Sequence, residues 1–389
     1  MLLALLAGCL DNSSTAPPVD AGFSPRAPWV WVVDCAGGGD FLTIQDAISA
    51  ASSGDVVQVR PCTYFGAIDF QGKTIRVEST DGAASTTLLA VPGAAAVKVK
   101  GGEGPGTALV GFTVSGGGGI EDGVVDVEMS SFTLENSVVT GGTGAFGVHS
   151  RSSPMTIRGT TIAGNSATSG WAVYAQRGGV LLSGSTISCD GAAVGLLASH
   201  GQFLVERSTI ACSGAESFRN EHAIGRIQRS HFAGVAVHEG EIGNDDTAFF
   251  EDTVVEGGIT AIEGIVKIRN CVVTGGPIDL TNADLSVIEG TVIRDGLCGL
   301  SGQAAETIVR NNAWFGLTTD LCGGGSPAGL FGNLAADCNH TDAAAGDWTL
   351  QPGSPCIDAG PTDPTYNDVD GSINDIGVFG GPFSQGGGW

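Results

Sequence analysis

The chain has 389 residues, 63 of them glycine, and carries 41 Asp and Glu against 17 Lys and Arg, a formal charge of −24. That balance opposes binding to nucleic acid or to anionic lipid headgroups, and it disfavours a polyanionic substrate unless a cation bridges the two. A compact domain of this length would split in two, whereas a solenoid grows along one axis.

Residues 1–9 end in Leu6-Ala7-Gly8-Cys9 after an apolar run, a string that resembles a bacterial lipobox. The resemblance implies lipid attachment at Cys9, and the absence of Asp directly after it implies the outer membrane; an ordinary signal peptide is the alternative. The positive n-region of a secretory signal is missing, and a true start upstream of Met1 is the expectation that accounts for it. No other segment is long and apolar enough to span a bilayer. Residues 10–28 read as a flexible tether.

Structure starts at the alternating strand Trp29-Val30-Trp31-Val32-Val33. Phe41, Ile44, Ile48 and Ala51 then share one helical face, with Thr43 and Asp46 placed as a capping box. An open β-helix end exposes its bore and needs a cover, so this short helix is the expected N-terminal cap. Cys35 and Cys62 flank it and are expected to pair. Gly54–Pro61 and Gly72–Val77 read as the first rungs.

From Glu135 to Ile293 one phrase repeats: Asn136-Ser137-Val138-Val139, Gly159-Thr160-Thr161-Ile162, Gly184-Ser185-Thr186-Ile187, Arg207-Ser208-Thr209-Ile210, then looser copies ending at Phe232, Val255, Val273 and Ile293. Successive copies are 23, 25, 23, 22, 23, 18 and 20 residues apart, about one β-helix turn. Side chains two apart share a strand face. The closing Val, Ile or Phe and the small residue two before it (Ser137, Thr160, Ser185, Ser208, Ser230, Thr253, Cys271, Thr291) should therefore both point into the bore, the latter as a hydroxyl ladder. The position before the small residue is a turn column, rich in residues that tolerate a left-handed backbone, with Arg207 and Arg229 as exceptions. A second turn follows at Gly141-Gly142, Gly164-Asn165, Gly257-Gly258 and Gly275-Gly276. Cys189 and Cys212 each lie two residues beyond their column residue. Adjacent rungs are about 4.8 Å apart, within reach of a disulfide, so these two are expected to pair.

The string Gly39-Asp40-Phe41 through Ile44-Gln45-Asp46-Ala47-Ile48, Gly54-Asp55, Pro61-Cys62-Thr63-Tyr64 and Lys73-Thr74-Ile75, together with the Asn-Ser-Thr-Ile-like repeats, resembles the pectin-lyase-like superfamily over about residues 34–380. The resemblance implies an all-β, single-stranded right-handed parallel β-helix. Members include polysaccharide lyases, polygalacturonases, pectinesterases and bacterial surface proteins without known activity. The expected layout is a β-helix over 29–322, about ten or eleven coils and roughly 50 Å long, followed by a loop-rich segment, 323–389. Leu350–Gly360 and Asp368–Gly377 resemble the closing segment of bacterial β-helix surface proteins, which implies a second cap. Cys338 and Cys356 are expected to pair there. The pairing among Cys271, Cys298 and Cys322 stays open, with Cys298–Cys322 preferred and Cys271 a buried thiol in the inward column. Such cysteine usage suits an oxidising compartment.

The strand after the second turn carries His149, Tyr174, His200, His222, His238 and Glu263 on successive coils, the expected outward ligand-binding stripe. A glycosidase needs two carboxylates facing one sugar bond. Glu221 and Glu239, one coil apart, are candidates, as are Asp245 and Asp246. For a lyase, the resemblance to the superfamily implies an Arg or Lys base near calcium-held carboxylates, and the chain has only four Lys. The polygalacturonase and pectinesterase motifs are absent, so no catalytic residue transfers from those families. Asp368, Asp370, Asn374 and Asp375 are hard oxygen ligands at close spacing and make calcium the one cofactor the chain suggests, although Phe379 stands where an EF-hand loop has its Glu; a metal-free turn is the alternative. The expectation is a monomeric protein of the bacterial cell envelope, an outer-membrane lipoprotein or secreted, that binds a glycan or partner along its rod. The alternative is a polysaccharide lyase or glycoside hydrolase using the His/Glu stripe.

Overall fold

A computed structural model describes residues 27–119, 122–165, 170–189, 194–241, 246–281, 283–302 and 307–382. The backbone is a parallel β-helix in which each strand pairs with the one a coil further on. One face is a 13-stranded sheet from Val30–Val33 to Ile308–Arg310. Thirteen strands on one continuous coil make twelve turns, more than the ten or eleven expected. At about 4.8 Å per rung the rod is roughly 58 Å long. The uncounted turns lie near the N-terminus, where strands such as Val30–Val33 and Ala108–Val110 lack the repeated phrase. The second and third faces merge into a 22-stranded sheet, because Thr209–Glu221 and His231–Glu239 run through the corner between them.

The inward columns follow the period-two reading. Val139, Ile162, Ile187, Ile210 and Phe232 are fully buried. The hydroxyl column is buried beside them and forms a ladder. Ser137 N donates to Thr160 Oγ1 at 3.3 Å, Thr160 N to Ser185 Oγ at 3.1 Å, and Ser185 N to Ser208 Oγ at 3.2 Å. Each hydroxyl donates in turn to the carbonyl two residues before it, as Thr160 does to Arg158 O. The ladder satisfies backbone N–H groups that the tight corner would otherwise orphan. It ends on asparagines: Thr291 N donates to Asn312 Oδ1 and Asn312 N to Asn333 Oδ1, both at 3.0 Å.

The residue before each hydroxyl is left-handed throughout, including Arg207 (φ 47) and Arg229 (φ 48). The sequence reading found two corners per coil; the structure has a third. Met129, Ser152, Arg177, His200 and His222 are also left-handed and carry the chain from the third face back to the first. This corner escaped notice because its residues share no side-chain type.

The helix Ile44–Ala50 caps the N-terminal end, burying Ile44, Ala47 and Ile48, with Thr43 Oγ1 accepting from Asp46 N at 3.1 Å. Disulfides join Cys35–Cys62, Cys189–Cys212, Cys298–Cys322 and Cys338–Cys356, and Cys271 is a free, buried thiol.

The C-terminal segment lies elsewhere than expected. Leu334 adds a partial rung beside Ala313, but the described residues beyond it pack in a cluster separate from the bore. They run back along the outside of the second face, where Cys338, Trp348, Cys356, Ile376 and Val378 bury Val254, Val272, Val292 and Ala313. Asn270 Nδ2 donates to Gly380 O and Asn374 Nδ2 to Asn270 Oδ1, pinning the arm to the rod. The cause is visible in the outward column. Earlier coils place Thr161, Thr186 and Thr209 there, and the last four place Val254, Val272, Val292 and Ala313. Apolar groups facing outward need a cover.

Candidate functional site

The third face bends within its own strands. Val124 and Val125 both belong to the core, as do Ala172 and Val173 two coils further on. Two consecutive inward residues break the alternation, so the residues that flank them return to the same outer side three positions apart. Gly147 sits in this bend where a Cβ would meet Ala172 O at 2.8 Å. The result is an outer strip two residues wide. Phe146 and His149 occupy one rung, Trp171 and Tyr174 the next, and Glu216 and Arg219 lie two rungs further on.

Four rings on two rungs form a packed array. Phe146 stacks on His149 at 4.5 Å and on Trp171 at 5.6 Å, His149 stacks on Tyr174 at 5.4 Å, and Trp171 lies 5.1 Å from Tyr174. His149 is buried, while Trp171 and Tyr174 are half-buried. One rung back, Asp126 is buried with Lys100 Nζ at 2.6 Å and His149 Nδ1 at 3.4 Å. Burial would raise Asp126, but the close approach of His149, Asp122 and Lys100 outweighs it and holds its carboxyl at about 2. Asp122 is raised, chiefly by its hydrogen bond with Asp126 and then by burial. Lys100 also donates to Asp122 at 3.2 Å. Sequence reasoning missed Lys100, Asp122, Asp126, Phe146 and Trp171; the spacing of three, repeated in Phe146/His149 and Trp171/Tyr174, was the available signal.

The six residues of the expected stripe fall in four columns. His149 and Tyr174 are register partners in the outer strip. His200 and His222 are exposed in the left-handed corner, ring centroids 5.0 Å apart. His238 points inward and is fully buried. Partners are 22 residues apart at Ala211–Ala233 but 18 apart at Asn220–His238, so the shorter coil slips His238 onto an inward position. There Asn220 Nδ2 donates to His238 Nδ1 at 2.8 Å, and burial pushes His238 down to about 4.

Glu263 belongs with the candidate acids. Ser199, Glu221, Glu239 and Glu263 succeed one another rung by rung. Arg219 binds Glu216 at 2.6 Å and Glu239 at 2.5 Å, and its hydrogen bond with Glu216 leads in keeping it protonated. Glu221 makes no ion pair among the described residues. Asp246 is buried with an oxygen 3.8 Å from His222 Nδ1. Asp245 lies outside the described residues, as do Cys9 and nearly all of the tether.

The four residues proposed for calcium are engaged in hydrogen bonds of the C-terminal arm. Asp370 Oδ1 accepts from Ser372 N and Oγ, Asp368 Oδ1 from Gly381 N and Asp375 N, and Asp375 Oδ1 from Asp358 N. Asn374 Nδ2 donates to Tyr366 O. These bonds build turns of the arm. Among the described residues no group of three or more His, Cys, Asp or Glu is placed to hold a metal ion.

Among solved structures, the pectate lyase Pel9A matches 92% of this chain and 97% of its own at 12% identity and a TM-score of 0.52. The chain shares the parallel β-helix fold of that structure. Pectin methylesterases from carrot (9% identity, TM-score 0.27, covering 84% of this chain and 96% of that one) and Aspergillus niger (12%, 0.26, covering 85% and 98%) align too loosely to add to this. No family model matches the sequence, and a search of curated proteins finds no match. At such identity the likeness speaks for the β-helix alone.

Proposed function

We propose that this protein is an extracellular polysaccharide-binding β-helix whose third face, from Lys100 to Glu263, is the glycan surface. The observation that carries the reading is the four-ring array on adjacent rungs, with the half-buried Trp171 and Tyr174 at its rim. Aromatic faces offer sugars a flat apolar contact, and the flanking Glu column offers acceptors for hydroxyl groups. A cell-envelope location, with Cys9 as lipid anchor, belongs to the same proposal and is supported by the four disulfides, which suit an oxidising compartment.

The register of Glu221 and Glu239 favours hydrolysis as a second reading. Adjacent rungs set their backbones about 4.8 Å apart, near the roughly 5–5.5 Å carboxyl separation of retaining glycosidases. Arg219, 2.5 Å from Glu239, would hold that carboxylate in place as nucleophile, and Glu221, which has no ion pair among the described residues, would take the acid's place. A lyase is less well served, since Lys100 and Arg219 are both held as cations by carboxylates.

Both readings are tested by retention on immobilised polysaccharides and by reducing-sugar release, wild type beside Glu221→Gln/Glu239→Gln. Retention without release makes a binding module. Release abolished in the variant makes a hydrolase. Neither signal on any polysaccharide removes both readings.

A further inference from the structure

The third face also bears on the kind of glycan. Its cations near the ring array are already engaged. Lys100 is held by Asp126 at 2.6 Å and Asp122 at 3.2 Å, Arg151 faces Glu128 at 3.6 Å, and Arg219 is clasped by Glu216 and Glu239. Arg177 stands exposed in the corner column beside the rings, against Glu128, Glu221, Glu239 and Glu263 in the column next to it. A ligand carboxylate laid on Trp171 or Tyr174 would therefore meet fixed negative charge with few free cations to answer it, on a chain of net charge −24. Sugar hydroxyls meet the opposite situation, because ionised carboxylates are strong acceptors for them.

Resting on the glycan-binding reading, we infer that the third face selects a glycan free of carboxylate and sulfate groups, neutral or carrying amino sugars, with its rings on Trp171 and Tyr174. The fold is therefore shared with a pectate lyase while the ligand class is not.

The test is direct binding of the purified chain to defined hexamers: gluco-, manno-, xylo-, galacto- and glucosamine oligosaccharides, against hexagalacturonate with and without calcium. The expected result is binding of at least one neutral or amino-sugar hexamer and none of hexagalacturonate in either condition. Trp171→Ala and Tyr174→Ala should each weaken that binding about tenfold or more, Tyr174→Phe should keep it, and circular dichroism and melting temperature should show all three folded. Tighter binding of hexagalacturonate than of every other hexamer overturns the inference and leaves the glycan reading standing. Unchanged binding in both alanine variants overturns the assignment to the rings. Absence of binding to any hexamer overturns both.

Discussion

Glu289 and Arg269 stand 2.7 Å apart, and Arg310 closes on the same carboxylate from the next rung at 2.8 Å. Glu289 is 1% exposed. Both arginines reach solvent, Arg310 half-exposed, so removing the buried carboxylate strands no buried cation but loses charge-assisted hydrogen bonds, at a cost of about 1.5–3 kcal/mol. Glu289→Gln should therefore lower the melting temperature sharply. Glu251→Gln, which breaks an ion pair to the exposed Arg226, should cost about 0–1 kcal/mol. Equal shifts in the two variants would refute the distinction.

The ladder makes a second contrast. Thr160→Val keeps the shape but removes the acceptor for Ser137 N and the donor to Arg158 O, stranding a buried N–H at about 1–3 kcal/mol. Cys271 holds the same column position, and its Sγ lies 3.1 Å from Arg269 O. Cys271→Ser restores the column's usual hydroxyl and should cost well under the Thr160→Val loss. Thermal melts of the two variants decide it.

How far these features could be read beforehand follows from what each depends on. The ladder and the left-handed corner before it repeat once per coil, so a single chain displays them many times over. Even the two arginines that looked wrong for that corner adopt it. The outer strip was hidden because Phe146 and His149 share a side only through a bend inside a strand, which period-two reasoning denies. His238 was assigned outward because one coil is four residues shorter than its neighbour at the bend, a change of register that neither flanking phrase reveals. The arm was read as an end cap on resemblance, although the change from Thr161, Thr186 and Thr209 to Val254, Val272 and Val292 marks where it lies.

Asp252 supplies a pH dependence. It is buried in the left-handed corner at φ 49, and burial, aided by Glu251, raises its carboxyl from 3.8 to about 7. The native state thus holds a proton there that the unfolded chain releases from about 3.8 upward. Asp252 favours folding below that value, and this contribution is lost as pH rises toward 7. Asp252→Asn keeps a residue suited to the corner and should raise the melting temperature at pH 8 with little effect at pH 4. A rise of equal size at both values would show that ionisation is not the cause.

The arm should detach before the rod unfolds. Cys338–Cys356 closes a span of 18 residues, worth about 3 kcal/mol. In Cys338→Ala/Cys356→Ala, limited proteolysis should cut within residues 335–382 while the β-sheet circular dichroism of the rod persists. Loss of the sheet signal together with the first cut would mean that arm and rod are one cooperative unit.

The arm has a mechanical consequence. Rungs joined only to their neighbours can peel away singly when the two ends of a rod are drawn apart. A strap fastened across Val254, Val272, Val292 and Ala313 ties four such rungs together. Under tension in an optical trap, the helix-capped end should therefore yield in small steps, and the strapped end should hold to a higher force and then give way in one large extension.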